Sequence, residues 1–329
     1  MPFKIDPEVA AGLQARNSSQ EPKSFPAGDW QSRRHSIAEF LQVFAPPENK
    51  PKDVVVKEFK TKSYDGAEID LRWYEKHGSK PGSAILYIHG GGMIAGSAKM
   101  YEAIVGRYVS QSGVPALSVE YRLAPEHPAP TPVEDAYAGL VWLHEHVADL
   151  GVDPKRIAIM GDSGGGGIAA GLAHLAKEKG GPGIAKQILI YPMLDDRNVE
   201  PDDHLTPFLI WTTADNETGW GAVLGERRGK EGVPPKDAPG RMTDATGLPP
   251  MYIETGELDL FRDETYEYAR KFGKAGVNVE MHVYPGCPHA FEYLAPTSKV
   301  AKQAYANRTK AMQTIEPLQG KLFVQGSRM

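Results

Sequence analysis

Ile157-Ala158-Ile159-Met160-Gly161-Asp162-Ser163-Gly164-Gly165 is an apolar run that breaks into a glycine-flanked serine, and a small-residue stretch from Gly166 to Lys179 follows it. The pattern predicts a buried strand, a sharp corner and a helix, with Ser163 at the corner. A backbone that reverses there brings the positions two residues to either side close together, and both, Gly161 and Gly165, lack a side chain. The corner lifts the hydroxyl clear of the sheet. A glycine loop between strand and helix can instead hold a phosphate, but that needs a lysine followed by Ser or Thr at the helix start. Gly167-Ile168-Ala169-Ala170 offers neither. A hydroxyl nucleophile further requires a base, a group to orient the base, and donors for an oxyanion.

Working outward, strand-like runs alternate with helical stretches, which predicts an α/β fold with a mostly parallel sheet covered on both faces. Val54–Phe59 and Ile69–Trp73, separated by a turn at Asp65-Gly66, read as an antiparallel pair. Ala84–His89, Ala116–Glu120, Ile157–Met160, Gln187–Tyr191, Met251–Thr255 and Val279–Tyr284 read as buried strands, eight in all. Val133, Ala136, Tyr137, Leu140 and Val141 recur at helical spacing, as do Tyr266, Ala269, Arg270 and Gly273. Two regions break the rhythm. Residues 1–50 carry Ile37, Phe40, Leu41 and Phe44 at helical spacing, and residues 195–247 are rich in Trp, Gly, Pro and charge. A stretch of that length without structure is uncommon, so 195–247 is expected to be folded and to serve as a lid. The core is then expected in two parts, 51–194 and 248–329.

Reacting groups in open α/β sheets gather beyond the carboxyl ends of strands, which prunes the ten histidines. His289 follows the last strand in the loop Pro285-Gly286-Cys287-Pro288-His289 and is the candidate base. His282 lies within the strand, His204 belongs to the insertion, and His144 and His146 sit on a helix, where a solvated face is expected. By the same test Asp259, after Met251–Thr255, is the candidate acid that orients the imidazole, with Asp263 second and Glu257 third. An aspartate there can also cap the helix that begins near Arg262. The lone cysteine, Cys287, reads as a small apolar filler.

His89-Gly90-Gly91-Gly92 after the third strand supplies the donors, because successive glycines let backbone N–H groups turn toward one point. His89 is expected to prop this loop by hydrogen bonds and not to act as base. Taken together, His89–Gly92, Tyr121-Arg122-Leu123-Ala124-Pro125-Glu126, Gly161–Gly165, Asp259 with Arg262-Asp263-Glu264, and His289-Ala290-Phe291 resemble the hormone-sensitive lipase family of α/β-hydrolase carboxylesterases, in order and spacing over roughly residues 54–294. The resemblance implies an α/β-hydrolase fold with an eight-stranded, mostly parallel sheet and a helical cap made by the N-terminal helices and the insertion. It implies Ser163 as nucleophile, His289 as base, Asp259 as its partner, and the amides of Gly91, Gly92 and Gly164 as the oxyanion hole. Members often have Ala where this chain has Gly164, a change expected to be harmless because it keeps the donor, and Pro where it has Leu260, which bears on the loop around Asp259. Tyr121–Glu126 reads as structural, bracing the oxyanion loop.

The expected activity is hydrolysis of short to medium acyl esters through an acyl-enzyme, with no metal or organic cofactor. A lipase, a lactone hydrolase or an amidase would use the same residues, whereas a non-catalytic receptor on this fold would be expected to lose the base. Trp211 and Trp220 in the insertion are candidates for the substrate pocket, and cap core is the equal alternative. A net charge of -5, from 37 Lys and Arg against 42 Asp and Glu, without a dense basic block, argues against nucleic acid or an anionic membrane as partner and for a small-molecule ester. The first residues, Met1-Pro2-Phe3-Lys4-Ile5-Asp6, lack the apolar core of a secretory signal, and no apolar run approaches ~20 residues, so a cytoplasmic protein is expected. By the resemblance, homodimerisation through the eighth strand or its neighbouring helix is open to the chain.

Overall fold

The computed structural model describes residues 3–19, 24–79, 82–200 and 202–318. All eight expected strands form: β1 (Val54–Lys62), β2 (Glu68–Lys76), β3 (Ala84–Ile88), β4 (Ala116–Val119), β5 (Ile157–Asp162), β6 (Lys186–Ile190), β7 (Met251–Gly256) and β8 (Val279–Tyr284). They make one sheet in the order β1-β2-β4-β3-β5-β6-β7-β8. β3 through β8 run parallel, while β2 is antiparallel to both β1 and β4. The first two strands extend beyond the expected apolar runs because the hairpin pairs along its full length, from Val54 opposite Lys76 to Lys62 opposite Glu68.

The described helices are α1 (Pro7–Ser19), α2 (Trp30–Phe44), α3 (Glu102–Ser112), α4 (Thr131–Glu145), α5 (Val147–Leu150), α6 (Gly164–Lys179), α7 (Thr213–Leu224), α8 (Arg262–Lys274), α9 (Phe291–Leu294) and α10 (Lys299–Gln313). The sheet is covered on both sides because its central strands are largely apolar and buried almost throughout, and their side chains alternate between faces. Leu86, Ile88, Ile157 and Ile159 join Leu140 of α4, Leu172 of α6 and Phe272 of α8 in one core. Ile85, Tyr87, Ala158 and Met160 join Val105 and Val109 of α3 and Met312 of α10 in the other.

Helix α8 forms where expected, but with a different inner face. Thr265, Tyr268, Ala269 and Phe272 are buried, while Tyr266 is exposed. The aromatic run Tyr266 and Tyr268 admits either rotation of the helix, and packing against the sheet selects the one that buries Tyr268 and Phe272. The two arrhythmic regions meet each other: α2 packs on α7, and the amide of Gly28 donates to Thr218 Oγ1 at 2.8 Å. The first helix lies elsewhere. α1 rests on α9, Val9 shares a cluster with Cys287 and Phe291, and the amide of Asp6 donates to the carbonyl of Gly286 at 2.8 Å, so it buttresses the loop that carries His289. Among the described residues no helix is long and apolar enough to cross a membrane.

Candidate active site

Ser163 stands between β5 and α6 with φ 55 and ψ -123, the left-handed geometry of a sharp corner. Glycine is required on either side. A Cβ on Gly161 would collide with the backbone of Gly165, and one on Gly165 with the carbonyls of Ile88 and His89. The serine backbone is pinned by its amide, which donates to Ile190 O at 2.9 Å, and by its carbonyl, which accepts from Met193 N at 2.9 Å and Gly167 N at 3.0 Å. The other described non-glycine residues with positive φ, Met93, Tyr191 and Ala290, all flank the same site. Backbone strain of this kind persists only where the surroundings over-determine it.

The ends of β5, β7 and β8 bring three side chains together. His289 Nε2 lies 3.0 Å from Ser163 Oγ, and His289 Nδ1 lies 2.7 Å from Asp259 Oδ2. Asp259 is fully buried, and its other oxygen accepts the amide of Phe261 at 2.9 Å, which fixes the turn before α8 without capping the helix, so the imidazole-orienting reading is the one the geometry supports. Leu260 does not loosen this loop, since the amides of Asp259 and Arg262 are both bonded within it. The two loops are laced together: Leu258 N donates to Cys287 O at 2.9 Å, and Gly286 N donates to Glu257 Oε2 at 2.9 Å. Glu257 is thus a brace, and Asp263 is exposed and paired with Arg262.

The edges of Tyr191 and Phe261 confine the imidazole, with ring centroids 4.6 and 5.2 Å away. Burial works against a charged imidazole here. The charge and hydrogen bond of Asp259, with Glu292 and Asp162 farther off, outweigh it and hold His289 above its ordinary range. The remaining histidines are placed otherwise. His282 bonds Glu280, and His204 is exposed. His144 and His146 are half-buried, not solvated as expected: His144 bonds the carbonyl of Gly183, and His146, at the end of α4, folds back on its own helix to bond the carbonyl of Trp142 and stack on that residue's ring. Cys287 is buried among Val9, Tyr284 and Phe291, and burial pushes its thiol up.

The glycine loop after β3, the candidate oxyanion loop, turns through Gly91 at φ 111 and Gly92 at φ 61. Among the described residues, no hydrogen bond takes up the amides of Gly91, Gly92 or Gly164. His89 braces the loop: its Nδ1 contacts Gly90 O at 2.8 Å, its ring stacks on Tyr121 at 4.2 Å, and its carbonyl accepts the Tyr121 hydroxyl at 2.9 Å. Burial lowers the His89 imidazole to about 4, which suits a neutral prop. Ala124 N donates to Met93 O at 3.0 Å, so the Tyr121–Glu126 segment supports the loop from beneath.

Glycine at position 164 keeps its amide donor, but the reverse change is restricted. A Cβ on Gly164 would sit 2.7 Å from Met93 N and 2.9 Å from Gly92 N, both backbone atoms, so alanine is not harmless at this position in this chain. The oxyanion loop approaches the serine corner too closely to admit a methyl group.

Ser163, His289, Gly91 and Gly92 open into a pocket of about 160 Å³ whose other walls come from both arrhythmic regions, including Ile37, Phe40 and Trp211. Its volume is close to the ~150 Å³ of an apolar cavity that takes one benzene. Trp211 lies directly on Gly92, so closely that a Cβ there would meet its ring, and its Nε1 donates to Asn216 Oδ1 at 3.3 Å. Trp220 corrects the other half of the expectation: it is fully buried, packs with Val223 and Leu224 in the core, and does not line the pocket. Trp211 precedes α7, whereas Trp220 lies on its buried face. Arg33 and Asp215 form a buried ion pair at 2.5 Å across the pocket rim, with the remaining Arg33 donors on the carbonyls of Phe25, Pro26 and Asp29.

Asp162, not singled out from the sequence, also lines the pocket. It accepts the hydroxyls of Tyr87 at 2.7 Å and Tyr101 at 3.2 Å, and burial pushes its carboxyl up to about 6 against those bonds. Among the described residues, no group of three or more His, Cys, Asp or Glu is arranged to hold a metal ion.

The comparisons with known proteins agree with this architecture. A family model described as alpha/beta hydrolase fold matches residues 85–293. The chain is 33% identical to carboxylesterase NlhH of Mycobacterium tuberculosis over 84% of this chain and 87% of that one. It is 28% identical to an ethyl acetate hydrolase of Pseudomonas putida over 94% and 99%. Among solved structures, a bacterial heroin esterase superposes with a TM-score of 0.82 at 34% identity, covering 94% of this chain and 97% of the other. The chain belongs to the α/β-hydrolase fold family, within its hormone-sensitive lipase-like group of carboxylesterases.

Proposed function

We propose that this protein is a serine carboxylesterase that hydrolyses short to medium acyl esters through an acyl-enzyme on Ser163. The observation that carries the reading is the contact chain Ser163–His289–Asp259, at 3.0 and 2.7 Å, facing three uncommitted amides in a small pocket. Ser163 Oγ attacks the ester carbonyl carbon as its proton passes to His289 Nε2, and the amides of Gly91, Gly92 and Gly164 hold the oxyanion. Collapse breaks the bond to the alcohol oxygen, which takes the proton from His289. Water then gives a proton to the same nitrogen as it attacks the acyl-serine, and the acid leaves as His289 returns that proton to Ser163 Oγ. Asp259 keeps Nδ1 protonated so that Nε2 is free to accept.

In this reading the expected cap of residues 1–50 and 195–247 over the core segments 51–194 and 248–329 is made by α2 and α7, while α1 braces the His289 loop. The ion pair of Arg33 with Asp215 supports it, since it joins the two cap segments at the pocket rim. A cytoplasmic enzyme fits the single cysteine, which is buried and unpaired.

The pocket volume favours short chains, and Trp211 is the wall that limits them. Rates on p-nitrophenyl esters from acetate to decanoate are expected to peak at the short end. The Trp211→Ala variant is expected to raise the octanoate-to-acetate ratio of kcat/KM roughly tenfold. A long-chain optimum in the unsubstituted protein, or a profile unmoved by the variant, would reject this limit. The Gly164→Ala variant is expected to lose about ten- to a hundredfold in kcat, because its methyl pushes Gly92 and Met93 out of line with the oxyanion. A kcat on p-nitrophenyl acetate within twofold of the unsubstituted protein would show that the loop yields without cost.

A further inference from the structure

Behind His289 lies a buried charge cluster that the proposed steps do not use. Glu292, three residues beyond the histidine on α9, is fully buried, and so are Glu254 within β7 and Arg308 on α10. Arg308 Nη1 donates to Glu292 Oε1 at 2.5 Å, and its Nε donates to Glu254 Oε1 at 2.8 Å. The hydroxyl of Tyr191 donates to Glu292 Oε1 at 2.6 Å, the ring of that tyrosine stands edge-on to His289 at 4.6 Å, and the Arg308 guanidinium lies 5.5 Å from the same ring. Tyr191 holds this pose at φ 34, a conformation a tyrosine avoids without external restraint. Glu292 Oε2 has no hydrogen-bond partner among the described residues. One guanidinium therefore serves two carboxyl groups, while the hydroxyls of Tyr252 and Tyr284 serve the second oxygen of Glu254 and leave that of Glu292 without a partner.

We propose that Glu292, clamped by Arg308 and Tyr191, is a positioning residue for His289: it fixes the tyrosine ring that confines the imidazole, and its charge favours the imidazolium that forms when Ser163 attacks. The inference rests on the serine esterase reading above. A preorganised charge in a dry site acts on the transition state without reorganising. The groups that face His289 are Asp259 after β7, Asp162 at the end of β5, Tyr191 after β6 and Glu292 on α9. Those that face Glu292 are Arg308 and Tyr191, with Glu254 and Tyr108 bonded to the same guanidinium. Glu292 raises the proton affinity of His289, ranking behind burial and Asp259.

The test is a pH profile of p-nitrophenyl butyrate hydrolysis by the full chain, with Glu292→Gln and Tyr191→Phe, each checked for folding by near-ultraviolet circular dichroism. Glutamine keeps an acceptor for Tyr191 and Arg308 but removes the charge. The acid limb of kcat/KM is expected to move to lower pH by about half a unit or more, with kcat on the plateau down about tenfold and KM within about twofold. Tyr191→Phe keeps the charge and loses the clamp, so kcat is expected to fall about tenfold while the limb does not move down. A folded Glu292→Gln protein with an unmoved limb overturns the proposal. If that variant does not fold, Tyr191→Phe decides, and an unchanged kcat overturns it. A Ser163→Ala protein that keeps the full rate is a separate failure, that of the esterase reading itself.

Discussion

Replacing Ser163 with alanine is expected to lower kcat for a short p-nitrophenyl ester by about a thousandfold or more, with KM little changed. The substitution removes the one oxygen held 3.0 Å from His289 Nε2 at the end of β5 and leaves the amides of Gly91, Gly92 and Gly164 in place. Alanine still has to adopt φ 55, as serine does, so backbone strain is common to both proteins and cancels in the comparison. The residual rate reports what the oxyanion loop and binding achieve without a nucleophile. Measured turnover equal to the unsubstituted protein would end the serine mechanism.

Asp259→Asn is expected to cost about a thousandfold in kcat for a different reason. The backbone amide of Phe261 donates to Asp259 Oδ1 at 2.9 Å and so selects the oxygen of an asparagine, which turns the amide nitrogen toward His289. An N–H donor opposite Nδ1 forces the proton to Nε2, the nitrogen that must accept from Ser163. The variant also shifts the pH dependence. Reaction needs a neutral imidazole, and His289 is held above the ordinary ~6.5, so activity of the unsubstituted protein falls as pH drops through a value above that. Burial opposes this and Asp259 is the strongest group favouring it, so its removal is expected to carry the acid limb of the residual activity to lower pH. An acid limb that stays in place, or kcat reduced less than about tenfold, would mean that Asp259 neither orients nor charges the imidazole.

The sheet was legible in the sequence because its central strands are short apolar runs buried on both faces, and the site was legible because its side chains follow those strands directly. Applying the same strand-end test to β6 singles out Tyr191, whose contact with His289 no local pattern announces. What the sequence hides depends on pairings remote along the chain. Arg33 meets Asp215 across 182 positions, and Arg308 joins Glu254 across 54. Trp211 and Trp220 are equivalent by composition, and only the tertiary placement of the segment before α7 and of the helix itself sends one to the pocket and the other to the core. The intolerance of Gly164 to a methyl group likewise comes from how near the loop at Gly92 passes, a distance set by the sheet order and not by either motif.

The most direct measurement is covalent labelling with a small organophosphate, followed by intact-mass and peptide mass spectrometry. A single adduct is expected, located on Ser163, forming in step with loss of esterase activity and slowed strongly in the Asp259→Asn protein. An adduct on any other residue, or full inactivation with Ser163 unmodified, would contradict the account.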